Sequence, residues 1–347
     1  MKILIDINHP AHVHYFRNFI KLMEAKGYVF HVINRDSSMI NELLDYYGIE
    51  HVVRNKRPKR KGTIASLLNL AQMTWWCIRE SMFFRPDLYL GFASSACAIT
   101  SKLFRKPCIL VDDTEHNSMN HKIYVPCCSC VLTPFYFNKQ LGVEGEKQFR
   151  FNAFIEQFYL HSTYYHSETQ VLEELGVRPG EYVIVRYIAY DAHHDLRVHP
   201  LSNEAKKRII QELAANYRVF VSLESRAMDS FYDPYLLHIS PEKMHDLEAH
   251  AKFMVTEGAT MASEAFVLGV PYLYLNPLRC GYIDYQCRMY PQRSFHATEE
   301  DEAFDIIKRL GNNNCERGTF RSGIEKVTIN PTEYLVQFVE KYTKTKR

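Results

Sequence analysis

The sequence is short of the features that place a protein quickly. Its 42 basic and 40 acidic side chains leave a formal charge of +2, too little for bulk electrostatics to announce a polyanionic partner. One solid basic run occurs, but no recognised nucleic-acid module accompanies it, so no nucleic acid is expected as a partner. The first strand is not followed by G-x-G-x-x-G, which removes the usual seat of a dinucleotide cofactor. No tandem short repeat is present, and the second half lacks an Asp-x-Asp metal motif. The nine cysteines are an odd, scattered set, which suits a reducing cytoplasm better than a disulfide framework. Cys127-Cys128-Ser129-Cys130 has no second pair or His at zinc spacing and reads as small buried residues of a strand. Met1-Lys2 runs straight into an apolar strand without a basic n-region and cleavage site, so no secretory signal is expected.

What is present is an α/β pattern in a chain of 347 residues, enough for two medium domains. Its clearest stretch is Gly258 to Gly269. Lys252 to Val255 reads as a buried strand, Thr260 to Leu268 has helical spacing of apolar residues, and Val270 to Leu275 reads as a further strand. This is one βαβ unit. Its glycine end leaves backbone N–H groups and a positive dipole end that suit a phosphate. Glu264, one turn in, is placed for ribose hydroxyls; an ordinary α/β helix with a surface Glu has the same pattern.

The first half opens the same way. The strand Lys2 to Ile7 ends in Asp6-Ile7-Asn8-His9-Pro10-Ala11-His12-Val13-His14, followed by a helix from about Val13 to Lys26. His9, His12 and His14 thus lie at the carboxyl end of a strand, where open α/β sheets put their ligands. A His there is a candidate proton acceptor, and also a plain helix cap. Cys108 to Val111 is a later strand that empties into Asp112-Asp113-Thr114-Glu115-His116. These groups suit sugar hydroxyls or acid–base work, and Asp113 or Thr114 equally suits an N-cap. Arg54-Asn55-Lys56-Arg57-Pro58-Lys59-Arg60-Lys61 precedes a long apolar helix, Ile64 to Phe84, carrying Trp75, Trp76, Phe83 and Phe84. Its polar residues argue against a membrane span. A solvated loop before a core helix explains most of it; peripheral contact of 54–84 with an anionic membrane surface is the sharper alternative.

Glu156 to Glu173 has many aromatics and no clean period and reads as a linker. A second series of strands and helices follows. Arg186 ends its first strand and is suited to a diphosphate, Tyr190 to Asp195 with His194 comes next, and Glu224 ends the following strand. The expected domains are 1–157, 158–330 and a terminal helix within 331–347, which is expected to pack back on the first domain.

The stretch Met244 to Leu275, with its G-x-x-x-x-S-E core of Gly258, Ser263 and Glu264, resembles the donor site of glycosyltransferase-B proteins, whose fold UDP-N-acetylglucosamine 2-epimerases share. The resemblance implies two Rossmann-like domains facing each other across a cleft. It also implies that Gly258, Ala259, Thr260 and Met261 line a diphosphate, that Glu264 binds ribose and that Met244 lies near the base. Pro10-Ala11-His12-Val13 is similar to the first loop of the related N-acetylglucosaminyltransferases, without their glycines. Across nearly its full length the chain resembles the prokaryotic family called domain of unknown function 354, through Asn8 to His14, Asp113 to His116 and Glu257 to Ala265.

Three functions follow from these residues. The first is a metal-independent transferase that takes a sugar from a nucleotide-sugar donor, UDP above all, to a glycan or lipid-linked acceptor, working in the cytoplasm or on the inner membrane face. In it His12 is the base, Glu115 and His116 orient the acceptor, and Arg186 and the helix end stabilise the leaving diphosphate. The second is a UDP-sugar 2-epimerase using Asp113, Glu115, His116 and His194. The third is a non-catalytic binding protein of the same fold. No cofactor is expected beyond the nucleotide sugar as substrate.

Overall fold

A computed structural model describes residues 1–54, 63–188, 201–224, 229–312 and 316–345. The chain divides into two compact units, Met1–Tyr159 with Ile329–Arg347, and Leu160–Thr328. Each is a parallel sheet with helical crossovers, the arrangement that alternating apolar strands and amphipathic helices favour.

Among the described residues the first unit holds seven strands: β1 (Lys2–Ile7), β2 (Val29–Arg35), β3 (His51–Arg54), β4 (Leu88–Phe92), β5 (Cys108–Val111), β6 (Cys130–Pro134) and β7 (Gln148–Phe151). Their order is β3-β2-β1-β4-β5-β6-β7. The order reverses between β1 and β4, and a crevice at the carboxyl ends of such a pair is the binding place of open α/β sheets. Both faces of the central strands are covered, and Leu4, Ile33, Leu110 and Val131 form part of one apolar core. The C-terminal helix Pro331–Thr345 belongs to this unit. Thr332 Oγ1 donates to the Phe158 carbonyl at 2.8 Å, and Lys26 pairs with Glu340 at 2.7 Å.

The second unit holds β8 (Tyr182–Tyr187), β9 (Arg218–Leu223), β10 (Met254–Thr256), β11 (Tyr272–Leu275) and β12 (Ser294–Ala297), in the order β12-β11-β10-β8-β9. Here the reversal lies between β8 and β10. Val183, Val185, Ile209, Leu213, Val255 and Leu273 centre its core.

Several local expectations change. The first helix starts at Pro10 rather than Val13, because His9 caps it through Nδ1 and Pro10 supplies a preformed first turn. The 156–173 stretch is not a plain linker: Phe158 and Tyr159 are fully packed, and short helices occupy Gln157–Leu160 and Gln170–Leu175. Cys127 and Cys128 precede β6 in a turn, and the strand begins only at Cys130. Asn117, not Asp113 or Thr114, caps the helix Ser118–Tyr124.

Candidate functional site

In the second unit the helix Ala259–Leu268 rises from the carboxyl end of β10, beside the reversal point. Residues Ala262 to Leu268 are all buried, as expected of a helix apolar on every side. Gly269 ends it at φ 77°, and a Cβ there would meet the Arg317 carbonyl oxygen at 2.6 Å, so only glycine fits. Gly258, at the N-cap, is different. Its φ of −89° suits any residue, and a Cβ would meet Thr256 Oγ1 at an ordinary 3.5 Å. The backbone does not require glycine there. The first N–H groups of any helix, here those of Ala259, Thr260 and Met261, have no intrahelical acceptor, and the missing side chain leaves this helix without a side-chain cap to receive them.

Arg186, near the end of β8, lies alongside: its Cγ is the third neighbour of a Gly258 Cβ, at 3.9 Å. Its guanidinium donates to Ser222 Oγ at 2.6 Å and to Glu224 at 3.3 Å, which orients it from β9. A cation beside an open helix end at one reversal point is a combination that suits an anion. Beneath them Glu257 is buried and pairs with Lys206 at 2.6 Å, while accepting the Ile188 N–H at 3.0 Å. That pair is structural.

Glu264 is nearly buried, and its Oε1 lies 3.1 Å from His245 Nε2. His245 and Glu248 come from the helix Met244–His250. The Glu248 carboxyl is pushed well above the usual carboxylate range by burial and by the charge of Glu264, with Arg186 opposing. Met244 begins that helix, half-buried. Ser263 needs correction as a ligand contact: it is fully buried, and its Oγ accepts from Gln286 Nε2 at 3.0 Å, so it is a packing residue. His194 lies outside the described residues.

In the first unit the reversal point is built on Asp6, which is fully buried at the end of β1. Arg54 Nη2 sits 2.8 Å from Asp6 Oδ1 and donates to Asn8 Oδ1 at 2.6 Å. Asn8 Nδ2 and Ser94 Oγ both donate to Asp6 Oδ2, at 2.8 and 2.5 Å. Gly91 on β4 allows this approach, because a Cβ would come within 3.0 Å of the Ser94 Cβ. Ala93, just after β4, takes a left-handed φ of 44°, a strained state for a residue with a Cβ. The network fixes the loop that carries His12.

His12 stands against Phe92 at 4.8 Å and Tyr15 at 6.0 Å between ring centroids. Desolvation, and then the neighbouring His9, hold its pKa well below the ordinary value, so the ring is neutral. A base must be neutral, but the Asn8 N–H donates to Nδ1 at 3.4 Å. That bond puts the proton on Nε2, and the ring as placed is a donor there. His9 is exposed and caps the helix, accepting the Ala11 N–H at 3.2 Å. His14 is corrected to a core residue, stacked on Tyr159 at 5.2 Å and edge-on to Tyr47 at 5.9 Å.

At the end of β5, Asp112 is the structural carboxylate. It accepts from His121 at 3.0 Å, from the Thr114 N–H at 2.9 Å and from the Tyr124 hydroxyl. Asp113 is half-buried and bonded to Thr114 Oγ1 at 3.0 Å. Desolvation and the adjacent Asp112 push its carboxyl up to about 7, an effect that solvent on its open side works against. Glu115 is half-buried and ties two loops together, Oε1 accepting the Asn138 N–H at 2.6 Å. His116 is exposed beside it.

The helix Thr63–Phe84 exposes Leu67, Leu68, Trp75, Met82 and Phe83. Arg54 is withdrawn from the basic run into its buried pair, and residues 55–61 lie outside the described residues. No helix of the described residues is long and apolar enough to cross a membrane.

The two parallel sheets match the glycosyltransferase-B class of α/β folds, which UDP-N-acetylglucosamine 2-epimerases share. Two solved structures carry the same fold. One is the Methanocaldococcus jannaschii UDP-GlcNAc 2-epimerase in complex with UDP-GlcNAc and UDP (TM-score 0.67, 13% identity, 99% of this chain and 100% of that one). The other is described as the glycotransferase of kitacinnamycin (TM-score 0.64, 11% identity, 98% of each chain). Within that class the chain belongs to the family described as Protein of unknown function (DUF354), matched over residues 1–344. An uncharacterised protein of Methanocaldococcus jannaschii is 21% identical over 324 residues, covering 90% of this chain and 93% of its own.

The sequence pointed to the helix end, Arg186 and Glu264, but not to Asp6, Ser94, His245 or Glu248. The i, i+3 spacing of His245 and Glu248 around the core residue Leu247 was the available signal for the last two.

Proposed function

We propose that the protein is a glycosyltransferase that uses a UDP-sugar donor. The observation that carries this reading is the uncapped amino end of the Ala259–Leu268 helix at a sheet reversal, with Arg186 alongside and Glu264 one turn in. The Ala259, Thr260 and Met261 amides and Arg186 receive the diphosphate and stabilise the charge it gains as it leaves. Glu264 takes a ribose hydroxyl. The acceptor hydroxyl loses its proton, its oxygen bonds to the anomeric carbon, and the bond from that carbon to the diphosphate oxygen breaks. His12 takes the proton after exchanging its Asn8 bond, or donates from Nε2 to orient the acceptor. The acceptor is a glycan or a lipid-linked sugar, and the exposed apolar residues of the Thr63–Phe84 helix suit contact with a lipid surface.

A second reading, 2-epimerisation of a UDP-sugar, is favoured by Asp113, whose carboxyl is tuned toward neutrality as a proton-transfer group requires. Incubation with UDP-sugars, followed by NMR of the sugar and assay of free UDP, separates the two. A transferase releases UDP in an acceptor-dependent way and leaves the unreacted donor's C2 configuration unchanged. Epimer formation without an acceptor rejects the transferase reading. Absence of UDP binding rejects both.

A further inference from the structure

His245, Glu248 and Glu264 form a cluster that the donor-binding reading uses only in part. All three are buried, and one ligand atom from each lies within 4.8 Å of the others. His245 and Glu248 are one turn apart on the Met244–His250 helix, and Glu264 comes from the facing helix. Glu248 is fully buried, and neither of its carboxylate oxygens has a hydrogen-bond partner. A buried carboxylate without a donor is costly, and a second carboxylate beside it makes the site worse. Arg186, whose charge reaches Glu248, makes its bonds to Ser222 and Glu224 instead. Among the described residues, no cation bonds to the Glu248 carboxylate.

We infer that His245, Glu248 and Glu264 bind one divalent first-row transition ion. One imidazole nitrogen and two carboxylates are a donor set that Zn2+ and Mn2+ accept, and two negative charges neutralise the ion. The 3.1 Å between His245 Nε2 and Glu264 Oε1 is close to the separation, about 3.3 Å, of two ligands on one tetrahedral zinc. Magnesium and calcium are less suited, since they prefer more oxygens and retained water. The ion's part is to hold Glu264 in position through Oε1, with Oε2 as the atom assigned to ribose. The inference shares Glu264 with the proposed function but does not depend on UDP being the ligand.

The test uses full-length protein stripped with EDTA and titrated with Zn2+ or Mn2+ alone, read by thermal shift and by metal content after desalting. One ion per chain and a raised melting temperature are expected for the wild type. Glu248→Gln keeps the volume and removes the charge; it should bind at least tenfold more weakly while melting no lower than stripped wild type. Because nine cysteines offer other ligands for zinc, equal uptake by wild type and Glu248→Gln overturns the proposal. So does no uptake at all, which would leave Glu248 as a protonated carboxyl. UDP titration in EDTA keeps the two readings apart. UDP binding without metal uptake removes only the ion, and metal uptake without UDP binding removes only the nucleotide reading.

Discussion

Gly258→Asp separates stability from binding, because the two should move in opposite directions. The N-cap position has φ −89° and ψ 117°, a conformation that capping side chains adopt, and a Cβ there meets nothing closer than 3.5 Å. An aspartate would accept the N–H groups that are now uncapped. Replacing glycine by a good cap is worth a few tenths of a kcal/mol, and a carboxylate in the first turn adds about 0.3–1 kcal/mol. The variant should gain about 0.5–1 kcal/mol, roughly 1–4 °C for a unit of this size. The same carboxylate occupies the place assigned to the diphosphate and repels it. Loss of two charge-assisted hydrogen bonds, about 1.5–3 kcal/mol each, lowers UDP affinity by at least about 100-fold. Thermal melts with and without UDP, together with calorimetric titration, read both effects. A variant that melts higher and binds UDP as well as wild type would refute the phosphate assignment, and misfolding could not be blamed.

Other outcomes follow from the same geometry. Arg186→Ala should weaken UDP binding about tenfold or more, with little effect on uridine, since a charge-assisted contact to the diphosphate is lost; equal losses for both ligands would argue for a structural role. Arg54→Met leaves Asp6 buried without its cation, and breaking such a pair costs about 3–5 kcal/mol, read as a lowered urea midpoint. The raised carboxyl of Asp113 binds its proton more tightly folded than unfolded. Its contribution to stability is therefore present at low pH and lost as pH rises through about 7. Asp113→Asn should flatten that loss in urea titrations at pH 5 and pH 8. His12 has the opposite sign of consequence: its folded pKa is depressed, so stability is lost as pH falls below the ordinary histidine value, and His12→Gln should weaken that acid dependence while sparing UDP binding.

Much of the architecture was legible because it rests on local pattern. The apolar strands β1, β4, β5 and β8 and the glycine-bounded helix after β10 stand within a few residues of where periodicity puts them. The helix Gly281–Met289 was not, since its few apolar residues, Tyr282 and Ile283 among them, do not make a periodic face. The charged chemistry was the least legible. Asp6 and Arg54 are 48 positions apart in sequence, and only the pairing of β1 with β2 and of β2 with β3 brings them together. Arg54 therefore read as part of a surface basic run. The three histidines after β1 looked alike in sequence, yet helix geometry sends His14 into the core, leaves His9 as an exposed cap and puts His12 beside Phe92. The bond from the Asn138 N–H to Glu115 joins residues 23 positions apart, and no local pattern announces it.

The central claim is that a pyrophosphate rests on the amino end of the Ala259–Leu268 helix. A crystal structure of the protein soaked with UDP tests it most directly. The account predicts β-phosphate oxygens within about 2.7–3.2 Å of the Thr260 or Met261 amide nitrogens, with the Arg186 guanidinium turned toward them. UDP bound at saturation anywhere else, with that helix end left to water, would contradict it.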